Sequence, residues 1–425
     1  VLVEQIYANL ADDGPRLVLA DQLLLAGDPR GELIAVQCEL ARHGYAQKAA
    51  SWDWIGDALA DPEIDPAHIK ALRACETALL AEHRSGWVAA AREGYPTAPE
   101  TYFRFERGFV AHVDVIAAVP EVASLLAAIG TAIPTLEALT LSTLSLEAPE
   151  RAFAWRAIGA LRALAMPGFG ARGLVTLPHA KLRELVLHGG QAEAARPLFE
   201  WKPFGALRVV ELNGMKLDAR DAARLVAAAG TLDELQLRQS KLGSAGAATI
   251  ATSERARGLK VLSLLANGIG PAGTKAVVEH LPALRALDLR KNAIGVAGAE
   301  ALGRNGSELR TLDLTGNTLG AAGVAALVAG DGLGALRELC LQQTMLDDAA
   351  VQALAASPLL ARLRVLSLRS NKITDVGAGA LANSPYTCNL VQLNLNNNKI
   401  TAAGKRRLDT SPHLEHARIA LRITA

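Results

Sequence analysis

The chain is poor in cysteine, with four in 425 residues, Cys38, Cys75, Cys340 and Cys388, and no CxxC pair among them. That spacing argues against a disulfide framework or a thiolate zinc site and points to reduced, structural thiols. Surplus charge is also missing, because 44 basic residues nearly cancel 43 acidic ones. A net charge of +1 leaves no electrostatic footprint for nucleic acid, a polybasic membrane binder or a charged disordered tail. Hydrophobic runs such as LVLADQLLLAG at 17–27 are short and carry Asp21 and Gln22, so no transmembrane segment is expected. The opening VLVEQIYANLADDG has no basic n-region and no small-residue cleavage pattern. A cytoplasmic location is the expectation, with trimming left open because Met does not stand first. There is no GxSxG elbow, and His413 and His416 have no third ligand in sequence. No catalytic residue, metal or cofactor is therefore expected.

What the chain has is a period. At 425 residues it exceeds one ordinary compact domain unless it grows as a repeat array. An apolar frame of the form LxxLxL starts at Leu136, Leu161, Leu182, Leu207, Leu232, Leu259, Leu284, Leu309, Leu336, Leu363 and Leu390. Successive starts lie 25, 21, 25, 25, 27, 25, 25, 27, 27 and 27 residues apart. Eight residues after the first Leu comes Asn267, Asn292, Asn317, Asn371 or Asn398, and two further on Ile269, Ile294, Leu319, Ile373 or Ile400. Ser240 and Thr344 are weaker substitutes at the Asn position. Within LRALDLRKNAIGVAGAEAL, 284–302, the reading runs strand, turn, helix. One such unit cannot bury its own leucines, so neighbours must stack sideways, and buried Asn amides can satisfy backbone groups of adjoining coils as a ladder.

These residues resemble the leucine-rich repeat family over about residues 136–412, in its ribonuclease-inhibitor-like form, and GAEAL, GVAAL and GAGAL are similar to the shorter GALA type. The resemblance implies an α/β fold: a curved solenoid with parallel strands on the concave face and helices on the convex one. The first units depart from it, with Leu144, Phe169, Gly190 and Met215 at the Asn position and Pro167 in a strand. Lids are needed at both ends. TYFRFERGFVAHVDV, 101–115, reads as one or two strands beside the first repeat, within a cap at 96–135. Leu414, Ala417 and Ile419 form a degenerate twelfth frame in a cap at 413–425.

Residues 1–95 carry no repeat and read as helices. Asp13 or Gly14 caps, Pro15 stands near the first helical position, Gly27 stops the helix, and Asp28 with Pro29 starts the next. DDGPRLVLAD, GDPRGE and IAVQCEL resemble the bacterial repeat-companion domain, which implies no established chemistry; Gln22 stands where that family often has Trp. Asp12, Asp13, Arg16, Asp21, Asp28, Arg30 and Glu32 read as caps and salt bridges fixing a helical hairpin, with a polar functional site as the alternative.

GIGPAG, Gly268–Gly273, fits GxGxxG. The same columns read AIGVAG and TLGAAG in the next two units and no Walker Lys-Ser/Thr follows, so these glycines belong to the repeat. Strand alternation sends the residues two, four and six places after each first Leu to the concave face. The candidate partner-binding residues are Glu184, Glu211, Asn213, Glu234, Gln236, Arg238, Asp288, Arg290, Asp313, Glu338, Gln342, Arg369 and Asn394, together with His188, Gln392 and Asn396. The place after the first Leu is basic in eight units, at Arg162, Arg183, Arg208, Lys260, Arg285, Arg310, Arg337 and Arg364. These read as a solvated edge paired with nearby acids, or as a rim that steers an acidic partner. Eleven strands at ~4.8 Å and five residues at ~3.3 Å give a face of roughly 750 Å², near the ~800 Å² per partner of a protein interface. The expected function is a non-catalytic scaffold for a protein partner, with no nucleic acid or membrane. A regulator resembling Ran-GTPase-activating protein, or an effector or ubiquitin-ligase-type substrate adaptor, is the alternative, although no F-box is visible in 1–95.

Overall fold

The computed structural model describes residues 2–9, 12–43, 65–93, 95–97, 102–115, 128–129, 132–141, 161–176 and 181–421. Leu144 lies outside them, as do parts of the expected segments 1–95, 96–135 and 413–425. The chain forms two compact units that divide between Leu207 and Arg208.

In the first unit, helices Leu2–Ala8, Gly14–Leu25, Arg30–Arg42 and Pro66–Arg92 precede the strands. Asp12 Oδ1 accepts from the Gly14 N–H at 2.9 Å and Asp28 Oδ1 from the Arg30 N–H at 2.8 Å. Asp12, not Asp13, thus supplies the first cap. Gly27 ends helix Gly14–Leu25 at φ +73°, a conformation that costs Gly nothing. Ile6, Ala20, Ile34, Cys38 and Phe109 share a core. Burial pushes the Cys38 thiol up to about 12, so it stays protonated and inert.

Phe109 comes from an antiparallel hairpin of β1, Phe103–Glu106, and β2, Phe109–Val115. Its two-residue turn, Arg107 and Gly108, has φ +50° and +80°, the geometry that matches strand twist. The Gly108 N–H donates to Gln37 Oε1 at 2.7 Å, and Arg30 Nε donates to the Gly108 carbonyl at 3.1 Å. A Cβ on Gly108 would strike Ile34. The Arg16 and Arg30 guanidiniums lie 5.8 and 5.1 Å from the Phe109 ring centroid, and Arg107 pairs with Asp13 at 3.0 Å. The polar residues of 12–32 that make these bonds are therefore caps and clamps for the hairpin. Parallel to β2 follow β3, Ala138–Leu141, β4, Ala163–Pro167, and β5, Glu184–His188. Pro167 ends its strand, as the missing N–H requires.

The second unit continues as nine strands: β6 Val209–Asn213, β7 Glu234–Gln236, β8 Val261–Ser263, β9 Ala286–Asp288, β10 Thr311–Asp313, β11 Glu338–Cys340, β12 Val365–Ser367, β13 Gln392–Asn394 and β14 Arg418–Ala420. Each pairs in parallel with the next, in register, so that Leu235, Leu262, Leu287, Leu312, Leu339, Leu366 and Leu393 lie side by side. Strands β3–β13 each begin two residues after one of the eleven first leucines. The fold is mixed α/β, with helices alternating with the strands of a repeat solenoid. Leu284, Leu287, Leu289, Ile294 and Leu302 are all 3% exposed or less, and the pattern recurs from unit to unit. Burying five such side chains is the main favourable term for each turn. Ile419 sits in β14, which adds to β13 and closes the row. His413 and His416 lie in the irregular turns before it, not on a helix.

Two ladders tie the turns together. Asn292 Oδ1 accepts from the Asn267 N–H at 2.9 Å and the Ile269 N–H at 3.3 Å, while its Nδ2 donates to the Leu264 carbonyl at 2.8 Å. Asn317, Asn371 and Asn398 serve the preceding turn in the same way. The set breaks at Thr344, whose short side chain bonds only its own turn, at Leu341 O, and whose carbonyl takes the Leu319 N–H instead. It ends at Asn267, whose buried Oδ1 has no hydrogen-bond partner. A second ladder caps helices: Asp348 accepts from the Thr374 N–H, Thr374 Oγ1 and the Gly377 N–H at 2.6–2.9 Å, and Asp375 accepts from the Thr401 N–H and Oγ1 at 2.8 and 2.6 Å.

Candidate binding face

Along β6–β13 the apolar side chains three and five places after each first Leu point to the helices, so the side chains at two and four places stand on the opposite face. In the second unit that face divides. On β6–β10 it is buried: Glu211, Gln236, Ser263 and Asp288 have no exposed surface, and Glu234 and Asp313 are under 9% exposed. The register explains how so many polar groups tolerate this, because equivalent positions on parallel strands lie ~4.8 Å apart and can bond sideways. Gln236 Nε2 and Asn213 Nδ2 each donate to Glu211 at 3.1 Å. The Arg238 N–H donates to Asn213 Oδ1 and Arg238 Nε to Ser263 Oγ, both at 3.3 Å. Ser263 Oγ donates to Asp288 Oδ2 at 2.7 Å, and Arg290 grips Asp288 through two bonds of 2.9 and 2.8 Å and reaches Asp313 at 3.5 Å.

Burial opposes charge on Arg290, but the bonds to Asp288 outweigh it and raise the guanidinium above its ordinary value. Burial raises the Asp313 carboxyl, and although the Thr315 N–H opposes this, the nearby Asp288 charge adds to it. Cys340 is pushed up to about 12 by burial and then by the Asp313 charge, so it is no nucleophile at neutral pH. These side chains are committed to one another, which alternation alone does not reveal.

From β11 onward these two columns open to solvent except at Ser367, which stays buried: Glu338, Cys340 and Asn394 are half-buried and Gln392 is exposed. The sixth place, half-buried already at Asn213, Arg238 and Arg290, stays so at Gln342 and Asn396 and is exposed at Arg369. Asn394 uses one oxygen on the Asn396 N–H at 3.1 Å. In the first unit Glu184 is half-buried with Arg162 at 3.9 Å, and His188 is exposed. A cluster there went unseen in the sequence: His112 Nε2 meets Thr140 Oγ1 at 2.8 Å and Asp114 at 3.0 Å, and Arg104 meets Asp114 at 2.7 Å. Its members come from three strands, and only the His112–Asp114 spacing of two was legible. Burial and then Arg104 depress His112.

The basic edge is accounted for in part. Arg162 reaches Glu137 and Glu184 at 3.7 and 3.9 Å, and Arg208 and Lys260 reach Asp233 at 4.0 and 2.8 Å. The GxGxxG glycines are repeat parts: Gly268 and Gly270 have φ +67° and +62°, and a Cβ on Gly273 would lie 2.5 Å from Ile269 Cγ2 and 3.1 Å from Ser244 Cα. Gly295 and Gly320 repeat the Gly270 conformation. Among the described residues, no group of three His, Cys, Asp or Glu side chains is placed to hold a metal, and no helix is long and apolar enough to cross a membrane.

The leucine-rich repeat family model matches residues 280–303, 308–328 and 362–382. No curated protein matches. Among solved structures, a chain of the Rad7 and Elc1 complex in yeast is similar at 12% identity, with 85% of this chain and 98% of that one covered and a TM-score of 0.52. The internalin InlF from Listeria monocytogenes is similar at 16% identity, over 79% of this chain and 94% of that one, with a TM-score of 0.44. The matched residues are leucine-rich repeats, and the fold is that of a leucine-rich repeat solenoid.

Proposed function

We propose that the protein is a non-catalytic scaffold that holds a partner protein on the open end of its inner face, on β11–β14. The observation that carries this reading is the division of that face: the columns locked together on β6–β10 emerge at Glu338, Gln392 and Asn394, with Arg369 exposed beside them. Four strands at ~4.8 Å by about 15 Å give roughly 300 Å², well under a standard interface, so a short segment of the partner fits better than a globular face. The chain of similar fold from yeast belongs to a complex of two named proteins, the setting this reading expects.

Affinity capture tests it. Wild-type protein should retain a partner that an Arg369→Glu, Gln392→Lys, Asn394→Lys variant loses, with folding checked by circular dichroism. Equal capture by both would refute the reading. Charge reversal at Glu211, Asp288 and Asp313 would not serve, because those carboxylates are buried and the change would unfold the protein.

A further inference from the structure

The column one place after each first Leu changes character along the second unit. It reads Arg208, Asp233, Lys260, Arg285, Arg310, Arg337, Arg364 and Val391. Asp233 neutralises the cations on both its sides, Arg208 and Lys260. After that the column offers four arginines on consecutive strands, β9–β12, and then Val391. Parallel pairing fixes their order: the Arg310 N–H donates to the Arg285 carbonyl at 2.7 Å, Arg337 to Arg310 at 2.8 Å, and Arg364 to Arg337 at 2.8 Å.

One loop holds two guanidiniums beside each other. Arg337 Nη1 donates to the Ala335 and Leu336 carbonyls at 3.1 and 2.9 Å, and Arg362 Nη1 donates to the Gly334 carbonyl at 2.9 Å. Arg337, Arg362 and Arg364 are exposed, and no ion pair forms at any of the three among the described residues. Burial and then Arg364, Arg362 and Arg310, all cations, lower the Arg337 guanidinium from its ordinary value. Like charges fixed this close are a cost that an anion would relieve. Val391, 58% exposed, continues the column and offers an apolar contact at its end.

We propose that the edge of β9–β12, centred on Arg337, Arg362 and Arg364, docks an acidic segment of a partner protein. This rests on the scaffold reading, because the edge borders the open inner face at Glu338 and Val365. Three strand gaps span ~14 Å, the length of about four extended residues. A nucleic-acid site typically neutralises about 6–10 phosphates, more than this edge offers.

The probe is a fluorescein-labelled oligoglutamate peptide, followed by anisotropy at rising salt. Wild-type protein should bind it, with affinity falling as salt screens the edge. Arg337→Glu with Arg364→Glu should weaken binding about tenfold. Arg337→Lys with Arg364→Lys should keep most of it, and Arg208→Glu, at the neutralised end, should change little. Arg364→Glu alone guards against misfolding, since that side chain makes no hydrogen bond among the described residues; it should weaken binding several-fold. Absence of wild-type binding, or equal binding by the reversed variants, overturns the proposal. So does tighter edge-dependent binding of oligothymidylate or of phosphatidylserine vesicles. Oligoglutamate binding that ignores the edge while inner-face capture persists sinks this inference alone. Edge binding that persists while wild-type protein captures no partner, or while the inner-face variant captures it equally well, sinks the scaffold reading alone.

Discussion

The amide oxygen of Asn317 lies 3.0 Å from the backbone nitrogen of Asn292, and so the residue that satisfies one turn of the chain is itself satisfied by the next. Removing Asn292 orphans the Asn267 and Ile269 N–H groups and the Leu264 carbonyl, all in the buried turn. At about 1 kcal/mol or more for each buried group left without a partner, Asn292→Ala should cost about 3 kcal/mol. Asn267→Ala should cost clearly less, because its oxygen has no hydrogen-bond partner to lose. Urea unfolding of both variants beside wild type gives the ranking. Equal costs would mean that the ladder contributes only side-chain packing.

The ladder has a conformational price one residue upstream. Gly189, Gly214, Gln239, Ala266, Lys291, Gly316, Gln343, Ser370 and Asn397 all occupy the seventh place after the first Leu, and all have φ between +53° and +75°. Only three of the nine are glycine. For the others the left-handed conformation is strained. Ala266→Gly removes the strain at the loss of one methyl group, and should stabilise the protein by about 0.5 kcal/mol despite the greater freedom of the unfolded chain. A thermal melt that shows no gain or a loss would mean that the Ala266 methyl makes up the difference through packing.

How much of this was legible follows from which physical rule wrote each feature. Leu284, Leu287 and Leu289 announce a strand because their spacing must match the pleat, and Asn292 announces the turn because a backbone without sheet partners needs an amide. The left-handed column was not legible, since Gln239, Lys291 and Ser370 are no glycines; the ladder forces their conformation from outside. The inner face was half legible. Period two tells which side Glu211 and Asp288 stand on, but not whether that side meets water. In the first unit the helix start at Asp28 could be read locally, and the one before Gly14 to within a residue, with Asp12 in place of Asp13, whereas the Gln37–Gly108 bond joins residues 71 apart that no pattern links.

Helix packing supplies a sharper test than the leucines do. Gly303, in helix Gly295–Asn305, faces the main chain of helix Gly320–Val328: a Cβ there would strike the Leu327 carbonyl and lie 3.0 Å from that of Ala326. Backbone cannot swing aside as a side chain can, so Gly303→Ala should cost about 2 kcal/mol or more. Gly258→Ala is the matched control, because its Cβ would meet only Thr231 Cγ2 at 3.7 Å. The control should melt within about a degree or two of wild type. If Gly303→Ala does the same, the two helices are not held at this distance.

Acid should loosen the second unit's cap ladder at Asp375 and tighten its inner face at Asp313. Thr401 Oγ1 and N–H bond the Asp375 carboxylate and hold it below its ordinary value. A carboxyl depressed by folding binds fewer protons in the native state, so its contribution is complete above the unfolded value near ~4 and is lost as pH falls through the lower native value. Asp313 is the reverse case, raised first by burial, so the native state binds the extra proton and stability from this group increases as pH falls toward ~4. Amide hydrogen exchange resolved by residue separates them. In Asp375→Ala, acid should no longer speed exchange at the start of helix Ala402–Asp409, and in Asp313→Asn the acid-linked gain around β10 should vanish. Wild-type exchange at that helix start that is unchanged between pH 7 and pH 3, after correction for intrinsic rates, would show that the Thr401 cap does not select the ionised form.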